Sequence, residues 1–361
     1  MTQQRQQMRS EREQIRIRGD RRPATYDKPR TFVKGIESGE YNLNEQRRKL
    51  LEEVPRVFSP KLNFTPRTEA SRIFKEEGDH NLLLPDDEPF RSQSLHINLS
   101  TAEPGTRNQG HGHQNEAMFY ILEGHGWEEH DGQEHPWEAG DAVAVHNDSV
   151  HWHVNPTNEW TVAIVMKAKP MWLFLGMHQQ GEIGYLPPDV EQRGPRVEWT
   201  VARRPEDLVG KTKVLKSTDT PWEWTPHSYQ RKIAGTGVPI RLKATTAHLH
   251  EIPVGSHTGR RWQMADESIY FTEGSGYSLH WDVAVEIDDQ FYARVAMEPT
   301  RWEWKAGDFM WIPTNMVFQH FNTDPAKPAK FLSGSNTAFE WLGYQTVDLD
   351  PCPEWQAQNP R

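Results

Sequence analysis

The 361 residues include one cysteine, Cys352, so no disulfide can close within the chain, which suits a reducing compartment. Long apolar runs are missing too. No stretch approaches the roughly 20 residues a membrane helix requires, and the opening MTQQRQQMRSEREQ lacks the apolar segment of a secretory signal. Positive charge is in deficit: the net charge is −10, which leaves no global basic field for nucleic acid or an anionic lipid surface. These absences lead us to expect a cytoplasmic protein with neither nucleic-acid nor membrane partners. Trp (15), Pro (26) and Gly (25) are abundant, a composition that favours short strands joined by turns around large aromatic side chains. The length allows two ordinary domains, each with its own core.

Basic residues do collect locally. Residues 1–22 hold seven Arg against three acidic residues. Such an arm could touch an acidic partner or another subunit, but a frayed helix or solvated tail is the simpler expectation. NEQRRKLLEEVPRVF (44–58) reads as a short helix stopped before Pro55. From about residue 65 the texture changes to short alternating strands such as SLHINLS (94–100) and AVAVHN (142–147).

The chain then repeats itself. PWEAGDAVAVHNDSVHWHVN (136–155) matches EWKAGDFMWIPTNMVFQHFN (303–322), pairing Trp137 with Trp304, Gly140 with Gly307 and Asn155 with Asn322 at an offset of 167. Upstream, Gly105 pairs with Gly255 and Gly124 with Gly274 at an offset of 150, leaving a 17-residue insertion in the second copy around DVAVEIDDQFYARV. A repeat this long means a duplicated domain. We divide the chain into an N-terminal arm (1–60), a first domain (61–200) and a second domain (201–361).

Residues two apart on a strand project to one face. His111 and His113 therefore point the same way, and His151, His153 and Asn155 share one face of a later strand. Three imidazoles from two strands, His111, His113 and His151, suit iron, manganese, nickel, copper or zinc, and ligand type alone does not choose among them.

The frame Gly105-x5-His111-x-His113-x3-Ala117-x6-Gly124, followed by Gly140-x10-His151-x3-Asn155, resembles the two signature motifs of the cupin superfamily. With the second copy, the chain resembles a bicupin over roughly residues 65–345. That resemblance implies an all-β fold of two double-stranded β-helix (cupin) barrels, with a short helical N-terminal extension. Most metal-binding cupins have Glu where Ala117 stands. Glu116 is adjacent, but in a regular strand it points away, so at best it orients a ligand from outside. A three-histidine site without that Glu is similar to the gentisate and salicylate ring-cleaving dioxygenases, bicupins that use Fe(II). The resemblance implies an active-site role for His153, two places after the third ligand. That family commonly carries an Arg that grips the substrate carboxylate where this chain has Phe119, whose parity matches His113. An aromatic wall at 119 favours an apolar substrate face, and the charge would have to come from elsewhere, with Arg72, Arg91 and Arg107 as candidates.

The second copy is an internal control. Its frame carries Arg261, Gln263, Glu267 and Phe318 where the first has His111, His113, Ala117 and His151, and only His320 survives, opposite His153. We expect no metal there, and an Arg261–Glu267 ion pair in its place. A fold that keeps Gly and Trp in both halves while the histidines differ does not need those histidines for its barrel. His248, His250 and His257 form a decoy with no partner His at the downstream position, and read as surface or strand-edge residues. His125, His130 and His135 read as solvated turn residues. Trp152 alternates away from the pocket. Trp137 and Trp304 read as core, and Asn155 and Asn322 as turn closers.

The activity expected from the resemblance is an Fe(II)-dependent dioxygenase cleaving the ring of a gentisate-, salicylate- or hydroxyquinol-like aromatic. Mn, Ni, Zn or Cu are the alternative metals. A non-oxidative isomerase, lyase or decarboxylase on the same metal is the second reading, and a small-molecule-binding bicupin without catalysis the third. O₂ and a small-molecule substrate are the expected partners, in a homodimer or homotetramer.

Overall fold

The computed structural model describes residues 51–52, 55–60, 62, 64, 79–83 and 94–360, apart from 131, 148, 175–178, 185, 187–188, 198–211, 241 and 345. Residues 1–50 of the N-terminal arm, Arg72 and Arg91 therefore lie outside the described residues. The structure is almost entirely β, in four sheets that pair into two barrels. No helix among the described residues is long and apolar enough to cross a membrane.

In the first barrel one sheet runs in the order Val214–Leu215, Ala142–Val145, Ala117–Glu123, Thr161–Lys167, His96–Ala102, Asp79–Leu83. The opposing sheet runs Gln180–Glu182, His111–His113, Ser149–Asn155, His125–His130, Gln133–Glu138. The strand Ala117–Glu123 shows how the sequence specifies both faces. Ala117, Phe119 and Ile121 line the barrel interior with Trp137, Val143, Val145 and Val165. Met118, with Tyr120 and Leu122 packed beside it, joins a core shared between the barrels, where it meets Ile164, Met166, Phe309, Trp311 and Leu332. A strand buried on both faces is apolar at every position rather than at alternate ones.

The second barrel repeats the plan. Its interior packs Phe271, Trp304, Met310, Ile312, Met316, Phe318 and Phe331, with the Phe271 and Trp304 rings stacked at 3.9 Å. The 17 extra residues extend Ser275–Ile287 into a ribbon with Phe291–Val295, antiparallel and exposed, Phe291 being 76% accessible. The predicted turn glycines have left-handed φ in both copies, Gly140 at 92° and Gly307 at 89°. Gly126 and Gly276 answer a different demand: a Cβ would sit 2.2 Å from Val154 O in the first barrel and 1.9 Å from Phe321 O in the second, so the crossing strands exclude a side chain there. Asn155 Nδ2 donates to Ala102 O and Glu159 O, and Asn322 Nδ2 to Ile252 O and Lys327 O, closing the same turn twice.

The barrels are interlocked. Past Pro55, the strand Val57–Phe58 precedes the first barrel in sequence but pairs with Phe309–Ile312 of the second. Val214–Leu215 follows the first barrel and pairs back onto its Ala142–Val145. Glu116 joins this interlock: its Oε2 accepts the backbone N–H groups of Lys243 and Ala244, both at 2.8 Å. Asp266, its counterpart, accepts the hydroxyl of Ser94. Glu116 thus clasps the other barrel, and orients no ligand histidine.

Candidate metal centre

Register brings the histidines together. Ser149–Asn155 pairs antiparallel with His111–His113, so His151 stands opposite His111, and Ser149 opposite His113. The ring centroids of His111 and His151 are 4.2 Å apart, those of His113 and His151 5.0 Å, and those of His111 and His113 5.9 Å. One ring nitrogen from each can be chosen so that all three lie within 4.8 Å of one another, a grouping found nowhere else among the described residues.

The hydrogen bonds select the tautomer at His113 and His151, whereas His111 Nδ1 also faces the amide nitrogen of Asn108 at 3.3 Å. Each Nδ1 lies against a backbone carbonyl two residues away: His111 against Gln109 O at 3.1 Å, His113 against Asn115 O at 2.6 Å, and His151 against Ser149 O at 3.0 Å. Protons on Nδ1 of His113 and His151 leave their Nε2 lone pairs for a ligand. His151 Nε2 is buried with no hydrogen-bond partner among the described residues. Burial, then the Lys167 charge, push His113 down to about 3, and burial holds His151 well below the usual imidazole range. Three imidazoles gathered this closely, with His113 and His151 held neutral by burial, fit a divalent transition metal, and three ligands leave positions for water, oxygen or substrate.

His153 sits beside this group, its ring 5.2 Å from His151, 5.5 Å from His111 and 4.8 Å from Phe119. Its Nδ1 is 2.7 Å from Oε1 of Glu128, a carboxylate only 2% accessible. Arg107 is on the other face, aligned with Val154, stacked 4.6 Å over Trp152 and paired with Glu129 at 2.7 Å.

His130 corrects the sequence reading. It is 1% accessible rather than solvated, both of its ring nitrogens are without partners within the protein, and it stacks 5.5 Å from His151 at 19°. Burial pushes it down to about 2. Glu128 was also missed. Both face inward on His125–His130 while Trp127 takes the outer face, so hydrophobicity alone reverses the sidedness of this strand. The signal that could have found them is the repeat, which aligns Glu128 and His130 with Ser278 and His280.

The second barrel holds different chemistry at the same place. Arg261 pairs with Asp348 at 3.1 Å rather than with Glu267. Phe318 is fully buried, Gln263 Nε2 donates to Ala265 O at 3.4 Å, and His320 Nδ1 meets the Ser278 hydroxyl at 2.5 Å. His250 is an interior rather than a surface residue, and His248 is half-buried. His250 is held by Ser228 and Ser333 at 2.8 and 2.9 Å, and burial drives His248 down to about 3. His257 is half-buried against Thr258 and Gln319.

Residues 98–167 match the family model described as a cupin domain. No curated protein matches the chain. Among solved structures, the chain is similar to a salicylate 1,2-dioxygenase from Pseudaminobacter salicylatoxidans, at 13% identity and TM-score 0.55, over 78% of this chain and 84% of that one. A structure of that enzyme with gentisate aligns at 14% identity and TM-score 0.54, over 75% and 77%. A Bacillus subtilis oxalate decarboxylase with Mn(II) centres aligns at 14% identity and TM-score 0.51, over 78% and 77%. Residues 98–167 form a cupin domain, and the chain as a whole has the bicupin fold.

Proposed function

We propose that the chain is a metal-dependent enzyme, an Fe(II) dioxygenase that cleaves the ring of a gentisate-, salicylate- or hydroxyquinol-like aromatic in its first barrel. The observation that carries this reading is the convergence of three imidazoles on one point, with an apolar wall and a proton-handling pair alongside. His111, His113 and His151 would hold the metal, which supplies binding positions for O₂ and substrate side by side. Phe119, buried next to His153, offers a flat apolar face for an aromatic ring and helps exclude water. His153 moves a proton to or from a substrate oxygen, and Glu128 fixes the orientation of its ring through Nδ1, leaving Nε2 as the exchanging atom. The second barrel, with Arg261, Gln263 and Phe318 in place of ligands, serves as a metal-free platform in a homodimer or homotetramer.

The test is anaerobic loading with Fe(II), followed by oxygen-uptake measurements with gentisate, salicylate, hydroxyquinol and catechol. Uptake with at least one is expected. No uptake with any of them at full metal occupancy rejects ring cleavage. A non-oxidative lyase or decarboxylase is the second reading, favoured by the His153–Glu128 pair, which serves proton transfer as well without O₂. Turnover under strict anaerobiosis distinguishes it.

A further inference from the structure

Of the proposed substrates, gentisate and salicylate carry a carboxylate, yet Phe119 stands where an arginine would hold it. Arg107 is engaged on the outer face with Glu129 and Trp152. Phe119 can donate nothing to an anion. The structure offers a different cation.

Lys167 ends the strand Thr161–Lys167. Residues alternate strictly along it. Val162, Ile164 and Met166 enter the core shared by the two barrels, whereas Val165, with Ala163 beside it, enters the interior of the first barrel. Lys167 shares the inward face of Ala163 and Val165. The register sets Val165 against Phe119 and Met166 against Met118, so Lys167 stands beside Ala117, at the end of both strands. Ala117 leaves room that a larger side chain would fill. Lys167 therefore lies on the same interior face as Phe119, which packs 4.8 Å from His153. Lys167 is half-buried, and no carboxylate lies within ion-pair distance of it among the described residues. A half-buried cation beside a metal site, with no anion to balance it, suits an anion brought by the ligand.

We propose that Lys167 binds the carboxylate of an aromatic acid at the first-barrel metal centre, beside the apolar face of Phe119. This rests on the reading of the first barrel as an aromatic-substrate site. It makes Lys167 the residue that selects acids over their neutral analogues, in a role that strand 117–123 does not fill. The four-carbon stem reaches over Ala117 while the charge stays at the mouth.

The test compares salicylate with salicylamide, its uncharged analogue, on Co(II)-loaded protein, following the visible absorption of the metal. Binding needs no turnover, so the outcome is independent of ring cleavage. Wild type should prefer salicylate. Lys167→Gln should weaken salicylate by about 10- to 100-fold, the loss expected for one charge-assisted hydrogen bond, and leave salicylamide within about threefold. Lys167→Arg should keep most of the preference. Metal content, measured alongside, should be unchanged or higher in Lys167→Gln, because a like charge near His113 has gone. Equal weakening of both ligands, no change in either, or a wild type that does not favour salicylate would each overturn the assignment. If the selective loss occurs while oxygen uptake fails with every aromatic tested, Lys167 stands and ring cleavage falls. If uptake occurs and the selectivity does not move, the reverse holds.

Discussion

The two barrels share their backbone devices and differ in what they place inside. Gly126 and Gly276 clear the same strand crossing, Asn155 and Asn322 close the same turn, and Trp137 and Trp304 fill the same interior position. At the centre the first barrel presents His111, His113 and His151, and the second presents Arg261, Gln263 and Phe318. One carbonyl contact survives this exchange: Gln263 donates to Ala265 O much as His113 meets Asn115 O. The outer support differs in the same sense, since His153 rests on the carboxylate of Glu128 and His320 on the hydroxyl of Ser278. What the fold needs recurs in both copies; what chemistry needs occurs in one. A carboxylate that meets an imidazole in the metal-competent barrel alone belongs with the chemistry.

The largest expected effect comes from making the second barrel resemble the first. Arg261→His, Gln263→His and Phe318→His together restore the triad on strands of matching register. A second equivalent of metal per chain, measured by plasma mass spectrometry, is the expected gain. An unchanged metal content would show that the second barrel lacks more than ligands.

Glu128→Ser gives the first barrel the second barrel's partner for its histidine. Turnover in the oxygen-uptake assay should fall by about 10²-fold, the scale of general acid–base assistance, with metal content unchanged. Steady-state kinetics should place the loss in kcat rather than KM. Loss of metal instead would make Glu128 a structural support of the triad.

Buried neutral histidines tie stability to pH, and the second barrel tests this without metal. Burial sets His320 and His248 down to about 3, against an ordinary 6.5 when unfolded. Between those values the unfolded chain binds more protons than the folded one. Stability is therefore complete above about pH 6.5 and declines as pH falls towards 3, by about 2 kcal/mol per such ring between pH 6.5 and pH 5. Urea unfolding of metal-free protein across that range measures it. A flat profile would mean that these rings find proton acceptors in the folded state.

Glu116→Gln should cost about 1–3 kcal/mol, because Lys243 and Ala244 lose a charged acceptor at the junction of the barrels. Thermal unfolding measures this, and metal content should not move. The smallest effect is expected from replacing residues 284–297 with a short turn like that of the first barrel. Metal content should stay the same and the melting temperature should shift by only a few degrees, since the ribbon beyond Val283 is exposed.

Much of this comparison was legible in the sequence, for identifiable reasons. The duplication shows because glycines at left-handed or crowded positions and asparagines at closing turns tolerate few replacements. The triad shows because strand periodicity puts His111 with His113 and fixes the face of His151. The supporting residues did not show. In HGWEEH the inward residues are Glu128 and His130 and the outward one is Trp127, the reverse of the usual hydrophobic signal, because this part of the barrel interior is polar. His250, on Thr245–Ile252, is hidden in the same way, its ring satisfied by two serines remote in sequence. The exchange of Val57–Phe58 and Val214–Leu215 rests on two-residue strands, too short to carry any period. Glu116 was placed on the correct side of its strand, but its partners in the other barrel come from tertiary packing alone.

The most direct measurement is the number of transition-metal ions retained per chain by wild type and by His151→Ala after loading and gel filtration, with a thermal melt to show that both are folded. One ion per chain in wild type and none in the variant is the result the account predicts. Retention of the ion by a folded His151→Ala, or two ions in wild type, would contradict it.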